Sequence, residues 1–323
     1  MASLGFLIPL AALLWVGHAA DFRISIHHNH SRGIFDFATK PSIEVGKRLR
    51  NQNRKLDKTF AFEKGIGYYY QYDIMLKPYE LYRGIRSPAR WPGAIVPYQI
   101  TGSFTSKELA NIQTAMSQFA STTCVRFVPH TTEKLYVSID SGETGCWSFQ
   151  GRSTVNKQNR VNLQTPYCTE TFIVVHELMH ALGFIHEFTR PDRDSWVSIN
   201  LGALEPQYQT AEFYLRAFAI QSVAQDELHR IPYNYGSVMH YSKYGGAASY
   251  STPVMTNLQP WEGDFGNTTG LSDLDIFRVN YRYCNSTITT ATTSAAPIKF
   301  RRTTSNATAK STKGNSTSTK PSN

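Results

Sequence analysis

Residues 171–194 read TFIVVHELMHALGFIHEFTRPDRD, and within them His176, His180 and His186 stand four and six residues apart, with Glu177 directly after the first. Three imidazoles with an adjacent carboxylate are the parts of a zinc centre that carries its own proton acceptor. His176 and His180 lie one helical turn apart, so a helix sends both rings out of one face. A continued helix would carry His186 off that face. Gly183 supplies an exit, because glycine takes a left-handed conformation at little steric cost. Glu177 can then reach the fourth, water-occupied position as general base and acid. An isolated H-E-x-x-H also arises on amphipathic helices as two surface histidines and a solvated glutamate. Here Gly183 and His186 fall in register, and residues 171–175 with Leu178, Met179, Ala181 and Leu182 give the helix an apolar body to bury. Zinc on three neutral imidazoles lowers the pKa of a bound water to about 7, so the expected chemistry is hydrolysis near neutral pH.

Other elements must hold this segment. Residues 94–100 read as a strand, with Pro97 arguing for an edge position. Leu109, Ile112, Met116 and Phe119 recur at helical spacing and predict a helix over 106–121. Val125 and Phe127, then Leu135, Val137 and Ile139, alternate as half-buried strands. Residues 188–235 hold scattered aromatics and short helical patterns. Ser272 and Asp275 form a capping-box-like start to a final helix through Leu274, Phe277 and Tyr281 into Cys284. No internal repeat is visible.

The chain has 323 residues, and its ends differ in character from its middle. An apolar run from Leu4 to Val16, then Gly17 and Ala19, predicts a signal peptide over 1–19, although no Lys or Arg precedes the run. That run is short for a bilayer and no other segment approaches it, so no membrane span is expected and the destination is the secretory pathway. Residues 20–60 read as a flexible, polar, basic segment in which His27, His28 and His30 are incidental. Cys124, Cys146, Cys168 and Cys284 suit an oxidising compartment and predict two disulfides, for which three pairings stay open. No C-x-x-C occurs, which argues against thiolate ligation of zinc. Six of the nine net positive charges lie on Lys299, Arg301, Arg302, Lys310, Lys313 and Lys320 of a Ser/Thr-rich tail, 285–323, that has no acid and too little apolar content to fold. A nucleic-acid partner therefore finds no support, and weak contact of the tail with an anionic surface or glycan is the most its charge suggests. N-x-[ST] sequons at Asn29, Asn267, Asn285, Asn306 and Asn315 suit a glycoprotein.

From Trp91 to Cys284 the residues resemble the astacins, a branch of the metzincin zinc endopeptidases. The resemblance rests on HELMHALGFIHE at 176–187, TRPDRD at 189–194, CWSFQGR at 146–152, SVMHY at 237–241 and LSDLDIFRVNYRYC at 271–284. It implies an α+β, metzincin-type zinc protease domain: two sub-lobes around an active-site cleft, with a twisted mixed sheet and a zinc-binding helix. It implies that His176, His180 and His186 hold one Zn2+, that Glu177 is the base, and that Tyr241 is a further zinc ligand and swinging hydrogen-bond donor. Met239 would lie under the metal as an apolar platform, and Glu187 would meet the freed amino terminus of the mature enzyme. The strand edge with Trp147 and Phe149 would bind extended substrate through its backbone. The family pairing would join Cys124 to Cys284 and Cys146 to Cys168. Upstream, Tyr70-Gln71-Tyr72-Asp73-Ile74 resembles the F-x-G-D-I pattern in which the aspartate ligates zinc in the latent form, so Asp73 is the expected latency ligand. Tyr72 stands where glycine is usual.

The expected organisation is a signal peptide at 1–19, a propeptide at 20–82, a catalytic domain at 83–284 and a tail at 285–323, with the mature terminus near 80–86. The expected function is a secreted zinc metalloendopeptidase, made as a zymogen and acting on protein or peptide substrates. The alternative is a catalytically silent secreted binding protein that uses the protease fold or the basic tail. It calls for a missing ligand or base, and none is missing. Another metzincin branch is disfavoured by Glu187 and the 237–241 sequence.

Overall fold

The sheet that carries the site is assembled in an order far from that of the chain. The computed structural model describes residues 42–51, 69–77, 88–221 and 231–284. Its helices are α1 (Ile43–Asn51), α2 (Ser106–Thr122), α3 (Thr171–Ala181), α4 (Ala211–Ala217) and α5 (Asp273–Tyr283). Its strands are β1 (Ile74–Met75), β2 (Ile95–Ile100), β3 (Arg126–Pro129), β4 (Val137–Asp140), β5 (Cys146–Phe149), β6 (Arg160–Leu163), β7 (Val197–Ile199) and β8 (Met255–Asn257). The large sheet runs β1-β5-β6-β4-β2-β3, mixed, with β5 antiparallel to β6 and β1 parallel to β5. Downstream of α3 the described residues hold little regular structure beyond the β7–β8 pair, short 3-10 turns, α4 and α5. This is the α+β arrangement expected.

α2 begins with a reciprocal capping box: Thr105 accepts from the Glu108 N–H while the Glu108 carboxylate accepts from the Thr105 N–H. It buries Ile112, Ala115, Met116 and Phe119. α3 is apolar on nearly every side and buried from Ile173 to Ala181, wedged against α2, β5 and β6, as a core helix must be. Two disulfides, Cys146–Cys168 and Cys124–Cys284, bind this frame together. The first ties β5 to the turn leading into α3; the second ties the end of α2 to the end of α5.

Two expectations need correction. β2 is not an edge strand, since β3 pairs it on one flank and β4 on the other. Pro97 is tolerated because the β4 ladder begins only at Tyr98. The Tyr98 carbonyl accepts from His130 on the β3 side, so by alternation the Pro97 nitrogen faces the flank where pairing has not started. Residues 43–51 are also not a flexible stretch but helix α1. Val45 and Leu49, one turn apart, are buried, and the Gly46 carbonyl accepts from Gln164 at 3.1 Å. The signal peptide, His27, His28 and His30, the maturation boundary at 80–86 and the tail lie outside the described residues.

Candidate active site

α3 delivers His176, Glu177 and His180 from one face, and its end explains how His186 returns. The Gly183 N–H bonds the His180 carbonyl at 2.7 Å and the Phe184 N–H bonds the Met179 carbonyl at 3.0 Å, the paired bonds of a Schellman stop. Gly183 has φ +101°, and a Cβ there would also lie 2.8 Å from Pro88 Cγ, so glycine is required twice over. The remaining carbonyls of the last turn are held by side chains: Trp91 Nε1 donates to Ala181 O and Tyr283 Oη to Leu182 O. The chain then enters a 3-10 turn, Glu187–Thr189, with His186 at its start.

The three Nε2 atoms converge on the Asp73 carboxylate: His176 at 2.9 Å, His180 at 2.9 Å and His186 at 3.2 Å. All four residues are fully buried. The His176 and His186 Nε2 atoms are themselves only 3.0 Å apart, near the roughly 3.3 Å edge of a tetrahedron with zinc–nitrogen bonds of about 2.0 Å. His180 Nε2 and Asp73 Oδ1 stand in contact, yet neither makes a hydrogen bond among the described residues. Ligand atoms that face a shared cation have that geometry. The Nδ1 side agrees. His176 Nδ1 lies 2.6 Å from Val238 O, His180 Nδ1 2.9 Å from Phe184 O, and His186 Nδ1 3.2 Å from Gln71 Oε1. A carbonyl oxygen only accepts, so Nδ1 carries the proton and the Nε2 lone pair is left for metal. Burial pushes the His186 pKa down to about 3 against the pull of Asp73, which keeps that imidazole neutral. Burial opposes ionisation of Asp73, but the positive charge that His186, His180 and His176 carry when protonated in place of a metal holds its carboxyl well below the usual range. The donor set, three neutral imidazoles and one carboxylate, fits zinc.

Glu177 is fully buried, and neither carboxylate oxygen has a hydrogen-bond partner among the described residues. Burial, then the charge of Asp73, pushes it well above the ordinary carboxylate range. Tyr241 donates to Asp73 Oδ2 at 2.6 Å and is 1% exposed. The 237–241 turn holds the site from beneath. Val238 O accepts a hydrogen bond from His176 Nδ1, Met239 O accepts from the Glu187 N–H at 2.9 Å, and the Met239 side chain is fully buried. Glu187 is no surface residue: Arg278, Arg190 and the Asn234 N–H surround its carboxylate. Burial opposes its charge, but Arg278 and then Arg190 hold its pKa low. The expected amino-terminal partner falls in 78–87, outside the described residues.

Residues 69–77 thread between the two halves. β1 lies along β5, pairing Ile74 with Ser148 and Met75 with Phe149, while the Ser148 N–H donates to Asp73 O at 3.0 Å. The Trp147 side chain is 1% exposed and packs against Tyr69 and Phe149. β5 therefore meets residues 69–77 through its backbone. Opposite, the Gln71 N–H bonds Arg216 O at 3.0 Å. The chain between these anchors is bent hard: Gln71 has φ +47° and Tyr72 φ +82°, conformations that cost a residue with a side chain about 1–3 kcal/mol. The Tyr72 ring offsets this by burial, worth roughly 1.5–3 kcal/mol, among Tyr241, Phe188, Phe213 and Phe218. Sequence reasoning missed Gln71, the Val238 and Phe184 carbonyls, and this aromatic recess. No local pattern marks a carbonyl as the partner of a distant imidazole.

Comparison with known proteins agrees with this geometry. Residues 85–284 match the sequence model described as Astacin (Peptidase family M12A). The chain is 35% identical over 189 residues to High choriolytic enzyme 1 of Oryzias latipes, an alignment covering 58% of this chain and 66% of that protein. It is 32% identical over 247 residues to Zinc metalloproteinase nas-27 of Caenorhabditis elegans, covering 75% of this chain and 55% of the relative. The solved structure of High choriolytic enzyme 1, a hatching enzyme zinc-protease, superposes with a TM-score of 0.52 at 33% identity, covering 61% of this chain and 94% of that one.

Proposed function

The chain belongs to the astacin family, peptidase family M12A, and from that premise we propose that it is a secreted zinc endopeptidase, made as a precursor that residues 69–77 keep latent. The observation that carries this reading is the convergence of three imidazole Nε2 atoms and the Asp73 carboxylate beside a buried Glu177. His176, His180 and His186 would hold the zinc, with Tyr241 as a further ligand. When bound, zinc polarises the scissile carbonyl and makes water a nucleophile at neutral pH. Glu177 accepts a proton from the attacking water and returns it to the departing amine nitrogen; a carboxylate raised by burial suits both roles. Tyr241, now donating to Asp73, donates instead to the oxyanion once Asp73 has left. The β5 edge, now held by β1, takes the substrate backbone. Secretion is supported by the predicted signal peptide, the two disulfides and the name of the hatching enzyme relative. No helix among the described residues is long and apolar enough to cross a membrane.

The test is Glu177→Gln. The variant is expected to keep one zinc per chain by metal analysis while peptide turnover falls by a factor on the order of 10²–10⁴. Near-normal cleavage by the zinc-loaded variant would overturn the assignment.

A further inference from the structure

The occupant of the aromatic recess beside the metal ligands suggests what the working enzyme takes there. Tyr72 directly precedes Asp73, and its ring is 3% exposed. It stacks on Tyr241 at 4.9 Å between centroids with 17° between planes, and meets Phe218 edge-on at 5.6 Å. Phe213 and Phe188 close the remaining sides at 5.7 and 6.1 Å. Every one of these walls belongs to the catalytic part of the chain. Phe188 follows the last histidine ligand, Phe213 lies on α4, Phe218 caps α4, and Tyr241 ends the turn beneath the metal site. The recess therefore stays with the enzyme when residues 69–77 leave.

Centroid separations of 4.9–6.1 Å are those that aromatic pairs prefer, and the backbone bends into a conformation unfavourable to tyrosine to put the ring there. On the peptidase reading proposed above, on which this inference rests, we infer that the recess is the specificity pocket for a bulky aromatic side chain of the substrate, on the residue next to the cleaved bond and on the side away from β5. Tyr72 serves as its internal surrogate. Four rings recognise a tyrosine, phenylalanine or tryptophan by face and edge contact. The rival is an acidic side chain drawn by Arg216, whose guanidinium lies 5.0 Å from the Phe213 ring.

Two measurements test this on the full chain, folded with its pro-segment and then freed of it by limited proteolysis. In the first, the zinc-loaded protein digests a peptide library and the products are sequenced by mass spectrometry. Aromatic residues are expected to be enriched about tenfold or more over alanine at one position flanking the cut, the scale a shaped apolar pocket provides. Selection of Asp or Glu there, or no selection at either flanking position, overturns the inference and leaves the peptidase reading standing. In the second, calorimetry measures binding of a synthetic peptide of residues 69–77 and of its Tyr72→Ala and Tyr72→Phe forms. Tyr72→Ala is expected to bind about tenfold or more weakly, and Tyr72→Phe to keep most of the affinity. Equal affinities for the parent and Tyr72→Ala peptides overturn the pocket. If the protein cuts no peptide but still discriminates the ring, the peptidase reading fails and the pocket survives.

Discussion

At the scale of single residues the molecule sets two carboxylates against each other over one metal site. Asp73 reaches the three imidazoles; Glu177 stands buried beside them. Replacing Asp73 with alanine removes the blocking ligand while leaving β1 paired. Uncleaved precursor carrying Asp73→Ala is expected to show activity raised about tenfold or more. Losing one partner of a buried, hydrogen-bonded charge pair costs about 2–5 kcal/mol of binding. A quenched fluorescent peptide assay checks this, with gel analysis to confirm that the chain stays intact; a silent uncleaved variant refutes it. His176, Glu177, His180, Gly183 and His186 were legible because their relation is local and set by helix geometry. Asp73 and Tyr241 were reachable only through family resemblance, since no spacing connects them to the histidines. Phe213 and Phe218 were illegible as pocket walls, because a phenylalanine in an aromatic-rich stretch carries no sign of which cavity it faces.

At the scale of elements, the last helix does more than close the fold. The capping box at Ser272 and Asp275 was readable from sequence and is present. What the pattern did not show is that the same Asp275 carboxylate accepts from Ser237 Oγ and from the Val238 N–H at 2.9 Å. It thereby holds the turn whose carbonyl orients His176. Asp275→Ala is expected to lower stability by about 2–4 kcal/mol, combining a lost cap with buried donors left without an acceptor. Denaturant unfolding of the full chain measures this, and a midpoint unchanged from wild type would rule out the linkage. Two elements were misjudged for physical reasons. Pro97 signals a missing donor, but not which flank of the strand lacks a neighbour. Among the described side chains of α1, the large apolar ones that reach the interior are Val45 and Leu49, too thin a stripe to separate from a solvated segment.

At the scale of the whole molecule, the family match ends at Cys284, where the disulfide to Cys124 also ends, and the compact unit ends at Ser286. Removing residues 287–323 is therefore expected to leave peptide turnover within about twofold of the full chain, because the family match and every site residue named above lie upstream of them. A steady-state assay of the truncated, activated protein decides it, and a severalfold loss would give the tail a catalytic part. The composition break at the tail was legible in sequence; the maturation boundary lies in residues outside the described set. Strand β1 carries a further consequence. It is held to β5, the histidines and the recess by non-covalent contacts alone. Scission of the chain downstream of residue 77 would free nothing by itself; it would change the kinetic order of inhibition. Before the cut, residues 69–77 are a tethered ligand at an effective concentration on the order of millimolar. After it they are an ordinary solute that must dissociate and can return. On the proposed reading, activation would be complete in dilute fluid and self-limiting where the freshly cut protein is crowded.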